Sequence, residues 1–336
     1  MKSYLAKLVN GEDLTRGECS EAFEKIMSGE ATGAQIGCFL TALSMKGETV
    51  DEIIGAATIM RAKVKRVAAP AGCIDTCGTG GDKLHTFNIS TAAALVAAAA
   101  GVPVAKHGNR SVTSKSGSAE VLTALGVNIE APLEVVERCL KEVGFGFCFA
   151  PLFHPAMKYA IGPRREMGVR TIFNILGPLT NPAGADRQIM GVFDADRTAQ
   201  LANVLGGLGS KRAMVVHGRD GLDELSTMAP TRVSEWVKGS ARHYEIKAGE
   251  LGLPEAKLED LQVSTDAESA DVIREVLRDR PGPARDIVIL NTAAALIVAD
   301  KASGWPDAVA LAGDTLASGQ PAQLLDKLVR ISNDRS

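Results

Sequence analysis

Through residues 1 to 66 the apolar positions recur at intervals of three and four, as at Ile36, Phe39, Leu40 and Leu43, the spacing of one helical face. Three helix starts are written alike. Thr15 with Glu18, Thr32 with Gln35 and Thr49 with Glu52 each make Thr-x-x-Glu/Gln, in which side chain and backbone satisfy two orphan donors reciprocally. Gly47 stands where the helix opened by Thr32 should end. So small a helical layer cannot bury its apolar faces alone, so it is expected to dock on a partner. Beyond Pro70-Ala-Gly72 the pattern changes to short β-like runs alternating with helices. The runs predict strands near 73–76, 103–106, 146–150, 188–193, 213–217, 232–237 and 242–247, with helices at 90–100, 117–126, 132–143 and 198–208. From Asp266 to Ile331 the chain returns to helices, separated by Pro281-Gly-Pro283, Gly304-Trp-Pro306 and Gly319-Gln-Pro321. This order predicts an α/β fold: a small all-helical N-terminal domain plus a larger α/β domain with a mostly parallel central sheet flanked by helices.

Two stretches break the apolar rhythm. Lys106 to Ala119, Lys-His-Gly-Asn-Arg-Ser-Val-Thr-Ser-Lys-Ser-Gly-Ser-Ala, carries Lys106, Arg110, Lys115 and five hydroxyls around a single large apolar side chain. It reads as a loop that holds an anion, with phosphate the expected guest. Upstream, Asp75-Thr-Cys-Gly78-Thr-Gly-Gly-Asp82 is followed by Thr86-Phe-Asn88-Ile-Ser90-Thr91 at the start of a helix. Glycines before a helix start offer unpaired N–H groups and the positive end of the helix dipole. Two such sites suggest a substrate with two phosphate groups. Neither stretch is a named nucleotide fingerprint, because Lys83 stands where Gly-x-Gly-x-x-Gly needs its last glycine and no Gly-x4-Gly-Lys-Ser/Thr occurs.

Charge and cysteine usage narrow the class. Charged residues are 23% of the 336 and the formal net charge is -3, so no global basic field favours nucleic acid. The longest apolar run, Ala92 to Gly101, is too short to span a bilayer, and no leader pattern opens the chain. Cys73 and Cys77 have C-x3-C spacing without a second half for zinc, and the six cysteines read as reduced thiols, which predicts a cytoplasmic protein.

Gly78-Thr-Gly-Gly-Asp82, Asn88-Ile-Ser-Thr91, Lys106-His-Gly-Asn-Arg-Ser-Val112, Lys115-Ser-Gly-Ser118, Ile161-Gly-Pro-Arg-Arg-Glu166, Gly168-Val-Arg-Thr-Ile-Phe-Asn174, Leu176-Gly-Pro-Leu-Thr-Asn-Pro182 and Gly221-Leu-Asp-Glu224 stand in order along nearly the whole chain. Together they resemble the anthranilate phosphoribosyltransferase family. The resemblance implies transfer of the phosphoribosyl group of 5-phosphoribosyl 1-pyrophosphate to the amine of anthranilate, a step of tryptophan biosynthesis. It implies contacts to phosphoribosyl pyrophosphate from Gly78, Gly81, Asp82, Thr86, Asn88, Ile89, Ser90, Thr91, Lys106, His107, Gly108, Asn109, Arg110, Ser111, Val112, Thr113, Ser114 and Ser118. It places anthranilate against Gly78, Asn109 and Arg164, and Mg2+, two per subunit, on Ser90, Asp223 and Glu224. It also implies a homodimer through the helical domain, and a domain division of 1–70 with a discontinuous contribution from about 160–182, against 71–336.

The residues themselves bear on these roles. Adjacent acids on a loop, such as Asp223 and Glu224, are ordinarily only solvated, but beside a phosphate site they are the ligands that Mg2+ takes. Either Arg164 or Arg165 could clamp a carboxylate through its planar fork, and the resemblance selects Arg164. No residue is assigned as acid or base. An aromatic amine is neutral at pH 7, so His107 is expected to position or polarise, and His85, His154, His217 and His243 to be ordinary. Two departures from the family pattern are Lys83, where glycine is usual, and His85; Thr113 and Glu120 replace a usual serine and aspartate. Rival readings are a pyrimidine nucleoside phosphorylase, whose Lys-His-Ser-Thr-Gly-Gly loop is absent here, and a non-catalytic nucleic-acid binder, which would not retain Arg164 with Asp223 and Glu224.

Overall fold

The computed structural model describes residues 1–110 and 117–334. Its N-terminal layer is α1 (Lys2–Val9), α2 (Arg16–Met27), α3 (Gly33–Lys46) and α4 (Val50–Lys63). All three capping boxes form in both directions, and α3 stops at Gly47, whose φ of 89° is open to glycine. The buried Glu52 carboxylate accepts from the Leu14 amide at 2.9 Å and pairs with Lys46 at 2.9 Å, fixing the α1–α2 connection against α4. The partner for the apolar faces is supplied by the chain itself. Ala160, Ile172, Phe173, Ile175, Leu176 and Leu179 share one core with α1–α4 and with Met190, Val192, Ala213 and Val215. Arg61, buried enough that its pKa falls to about 10, donates to the Leu179 carbonyl at 2.6 Å and the Leu208 carbonyl at 3.0 Å.

The seven expected strands all form: β1 (Ile74–Asp75), β2 (Val104–Gly108), β3 (Phe145–Phe149), β4 (Arg187–Gly191), β5 (Arg212–Gly218), β6 (Thr231–Val237) and β7 (Ser240–Ile246). They make one sheet in the order β3-β2-β1-β4-β5-β6-β7, parallel from β3 to β5 and antiparallel from β5 to β7. Strand alternation sends Met190 and Val215 to the helical layer and Ile189, Met214 and Val216 to a second core. That core holds α5 (Ile89–Ala99) and the C-terminal helices Asp266–Leu277, Pro283–Val298, Trp305–Ala317 and Gln320–Ser332. The fold is thus a helical bundle plus an α/β body with a mostly parallel sheet. No helix among the described residues is long and apolar enough to cross a membrane, and all six cysteines are free.

Successive strands run from β1 out to β3, then return to the other side of β1 as β4. The order therefore reverses between β1 and β4. A crevice opens outside the carboxyl ends of the strands at such a point, and ligands of open α/β sheets bind there.

Candidate active site

The sequence places a glycine loop at that crevice, and the backbone shows why glycine is needed. A Cβ on Gly78 would come within 2.7 Å of the Gly191 carbonyl oxygen at the end of β4, and one on Gly191 within 1.6 Å of the Asp223 carbonyl oxygen. The loop after β1, the end of β4 and the acidic loop after β5 are thus in backbone contact. The Thr79 amide donates to the Gly191 carbonyl at 2.9 Å. Asp75, fully buried, shapes the turn from beneath. Its Oδ1 accepts from the amides of Cys77 at 3.0 Å and His107 at 3.1 Å, while its Oδ2 accepts from Asn181 Nδ2 at 2.7 Å. Burial raises its pKa to about 6 against the pull of Asn181 and Lys106. Asp75, Cys77 and His107 have ligand atoms within 4.8 Å of one another, but the Asp75 oxygens are already occupied by these donors.

Helix α5 opens at Asn88, whose Oδ1 accepts from the Thr91 amide at 3.0 Å, with Ile89 and Thr91 buried behind it. Thr86, at an isolated bridge to Gln262, leads into this cap. At the amino end of α5 the Glu224 carboxyl meets the Ser90 hydroxyl and amide and the Lys106 ammonium; these lower its pKa, but burial, with Asp82 adding to it, raises it further. Asp223 lies beside Asp82 and Glu224 and is pushed well above the carboxylate range by burial first and then by those two like charges. Three acids therefore share one place, and among the described residues Lys106 is the cation that acts on Glu224. Perturbation of this kind concentrates at functional sites. The donor set of carboxylates and a hydroxyl is that of a hard divalent cation, so Asp223, Glu224 and Ser90 fit Mg2+.

Adjacent residues of β2 face opposite ways. Lys106 is 1% exposed, and its Nζ donates to Thr76 Oγ1 at 3.1 Å and Ser90 Oγ at 3.2 Å, so it buttresses the amino end of α5. His107 faces the returning segment: its Nδ1 lies 3.0 Å from the Gly177 carbonyl and its Nε2 3.1 Å from His154 Nε2. A carbonyl only accepts, so His107 carries its proton on Nδ1 and His154 donates from Nε2. Burial drives both below the usual histidine range, His107 to about 3 and His154 to about 4. Gly108 is tight against Phe147, at 2.7 Å from a notional Cβ. Asn109 and Arg110 are exposed, and Arg110 pairs with Glu130 at 3.2 Å. Ser118 starts the next helix and accepts weakly from Asn88 at 3.4 Å. The expected contacts Ser111, Val112, Thr113 and Ser114, with Lys115 and Ser116, lie outside the described residues.

Arg164 is on the helix Lys158–Met167, part-buried, with its guanidinium carbon 4.7 Å from the centre of the Phe173 ring. It has no ion-pair partner among the described residues, and burial lowers its pKa. Arg165, its neighbour, is exposed. Lys83 and His85 have φ of 64° and 60°, a left-handed backbone that explains why glycine suits position 83.

The sequence reading did not single out Asp75, Asn181, Gln188 or Gly191, and it took His154 as ordinary. Gln188 donates to the carbonyls of Cys77 at 3.2 Å and Pro178 at 2.8 Å, and Asn181 to Ala105 at 2.8 Å, so the two amides fasten the returning segment to the crevice. The available signals were a charge in the apolar run Cys73-Ile74-Asp75 and a glutamine opening the run Ile189–Val192.

Comparison with known proteins is consistent along the whole chain. A glycosyl transferase family model, the helical bundle domain, matches residues 2–64, and that of the a/b domain of a glycosyl transferase family matches 71–322. An anthranilate phosphoribosyltransferase of Acetivibrio thermocellus is 52% identical over 334 residues, covering 99% of this chain and 97% of the relative. The crystal structure of anthranilate phosphoribosyltransferase from Thermus thermophilus superposes with a TM-score of 0.93 at 43% identity, over 98% of this chain and 99% of that one. The Saccharomyces cerevisiae enzyme in complex with phosphoribosyl pyrophosphate and Mg gives 0.89 at 27% identity, covering 98% and 97%.

Proposed function

Because the chain belongs to the anthranilate phosphoribosyltransferase family, we propose that it transfers the phosphoribosyl group of 5-phosphoribosyl 1-pyrophosphate to the amine of anthranilate. The products are N-(5-phosphoribosyl)anthranilate and pyrophosphate, and the step belongs to tryptophan biosynthesis. The observation that carries this reading is the crowded acidic group Asp82, Asp223 and Glu224 at the switch point, set against Ser90 and a glycine loop. Such a place takes a polyphosphate together with its cations.

In the reaction the anthranilate nitrogen bonds to ribose C1 as the C1–O bond to pyrophosphate breaks. The amine then loses a proton to water. Mg2+ held by Asp223, Glu224 and Ser90 supplies Lewis-acid stabilisation of charge on the departing pyrophosphate. The glycine loop lets the backbone come close to the same charge, and the positive end of the α5 dipole favours it. Lys106 keeps Ser90 in place from below. Arg164, already desolvated against Phe173, receives the anthranilate carboxylate, and Asn109 meets the amine side, so the two substrates are oriented. His107 and His154, neutral and mutually bonded, hold the wall of the cleft at Gly177 and take no proton from substrate.

The same reading assigns two Mg2+ per subunit and a cytoplasmic location. It divides the chain into 1–70 with about 160–182 and 71–336. It also assigns a homodimer through the helical layer, supported by Val9 on α1 and Met45 on α3, which are 67% and 84% exposed. The test is the loss of anthranilate fluorescence on adding phosphoribosyl pyrophosphate and Mg2+. The expected result is a decay that needs both additions; fluorescence that stays constant with all components present would refute the activity.

A further inference from the structure

The five-residue loop Gly78–Asp82 holds three glycines, and Gly80 and Gly81 take φ of 65° and 95°. Such a segment does not choose one conformation by itself, because glycine has the most backbone freedom to lose. Its fixed points are therefore informative. Thr79 is tied to the exit of β4, its amide to Gly191 O and its hydroxyl accepting from the Phe193 amide at 3.3 Å. Gly81 is tied from the opposite side. Arg170 Nη2 donates to the Gly81 carbonyl at 3.4 Å, and a Cβ on Gly81 would lie 2.0 Å from that nitrogen.

Arg170 is itself set by two neighbours. Its guanidinium carbon lies 4.0 Å from the centre of the Phe193 ring, a cation–π contact on the same strand extension that holds Thr79. It also stands two residues before Ile172 and three before Phe173, both buried in the core shared with α1–α4. Its segment thus belongs by packing to the helical layer, and its side chain by contact to the glycine loop. The residue is exposed, and its described contacts are the Gly81 carbonyl and the Phe193 ring.

We propose that Arg170 is the positioning residue that couples the helical layer to the glycine loop, and that it acts on the phosphoribosyl pyrophosphate side of the reaction. This rests on the phosphoribosyl reading of the cleft. Phe193 is the platform that orients the guanidinium, and the hydrogen bond to Gly81 limits the conformations the loop samples before substrate arrives. Loss of the arginine leaves Gly80 and Gly81 free while Thr79 stays anchored.

The test uses the full chain with Arg170→Ala, Arg170→Lys and Phe193→Leu. Wild-type turnover in the same assay secures the reading of the cleft independently of the variants. For Arg170→Ala the expected KM for phosphoribosyl pyrophosphate rises roughly tenfold while that for anthranilate stays within about twofold, the scale of one exposed charged contact. Hydrogen exchange of the Thr79–Lys83 amides in the substrate-free protein should quicken in Arg170→Ala and in Phe193→Leu. Arg170→Lys should recover part of the KM but not the slow exchange, because an ammonium lacks the planar face. Unchanged loop exchange in both Arg170→Ala and Phe193→Leu overturns the coupling. A variant whose two KM values rise equally overturns the assignment to the phosphate substrate.

Discussion

Replacing Arg164 with alanine separates a substrate clamp from a structural arginine, because the two roles move stability in opposite directions. The guanidinium is part-buried over Phe173 and lacks an ion pair among the described residues, and burial lowers its pKa. An unpaired, partly desolvated cation costs the free protein stability that a carboxylate guest would return on binding. A charge-assisted bidentate pair contributes about 1.5 to 3 kcal/mol, so Arg164→Ala should raise KM for anthranilate by roughly tenfold to 150-fold. The KM for phosphoribosyl pyrophosphate should hardly move. Urea denaturation of the variant should give a stability equal to or above wild type, since the lost cation–π contact contributes only about 0.5 to 1 kcal/mol. Arg164→Lys keeps the charge without the fork and should fall between the two. Steady-state kinetics with each substrate varied in turn, alongside denaturation, decides the matter. An unchanged KM for anthranilate, or a destabilised variant with both KM values raised together, would refute the clamp.

Asp223→Asn and Glu224→Gln should act oppositely on the empty and the metal-loaded protein: relief of like-charge crowding raises the Tm without Mg2+, and the upward shift on adding Mg2+ shrinks. Either variant keeping the wild-type Mg2+ shift in calorimetry would remove that acid from the metal site. The histidine pair predicts a pH dependence. His107 and His154, depressed in the fold from 6.5, bind fewer protons than the unfolded chain, so their contribution is present above pH 6.5 and is lost at about 1.4 kcal/mol per pH unit each on acidification. Asp75, raised from 3.8 to about 6, Glu224, raised from 4.5 to about 7, and Asp223, raised well above 3.8, work the other way, so the histidines alone do not set the net slope of the wild type. In urea denaturation the stability of wild type relative to His154→Gln should therefore fall by about 1.4 kcal/mol per unit between pH 6.5 and 5; parallel curves would contradict the neutral pair. Lys83→Gly should stabilise by about 0.5 to 1 kcal/mol, the left-handed cost less the entropy of glycine. A destabilised variant would show that Lys83 is not strained.

What sequence could reveal follows from the range of the forces involved. Helix starts at Thr15, Thr32 and Thr49 are local events three residues long, so their capping boxes were legible in both directions. Strand alternation is likewise local, and all seven runs appear within a few residues of their expected bounds, although β1 contracts to Ile74–Asp75 because the chain turns at once into the glycine loop. The loops that carry Gly78, Asp223 and Glu224, and the helix start that carries Ser90, announce themselves because they interrupt apolar rhythm. Asp75 with Asn181 does not, since the two meet across 106 positions and only once β4 has been laid beside β1. The same holds for His107 with His154, brought together by strands β2 and β3. Gly191 was hidden for another reason: its need for hydrogen in place of a side chain comes from two other backbones, at Gly78 and Asp223. In sequence it is one glycine among 34.

The central claim is that the crevice between β1 and β4 holds the sugar's pyrophosphate and its Mg2+ between the glycine loop and the acidic pair. A crystal soaked with phosphoribosyl pyrophosphate and Mn2+ as an anomalous stand-in for Mg2+ tests it most directly. The account predicts an anomalous peak bridging the pyrophosphate to Asp223, Glu224 or Ser90, with the ligand against Gly78–Asp82. A peak and a sugar located together elsewhere on the molecule would contradict it.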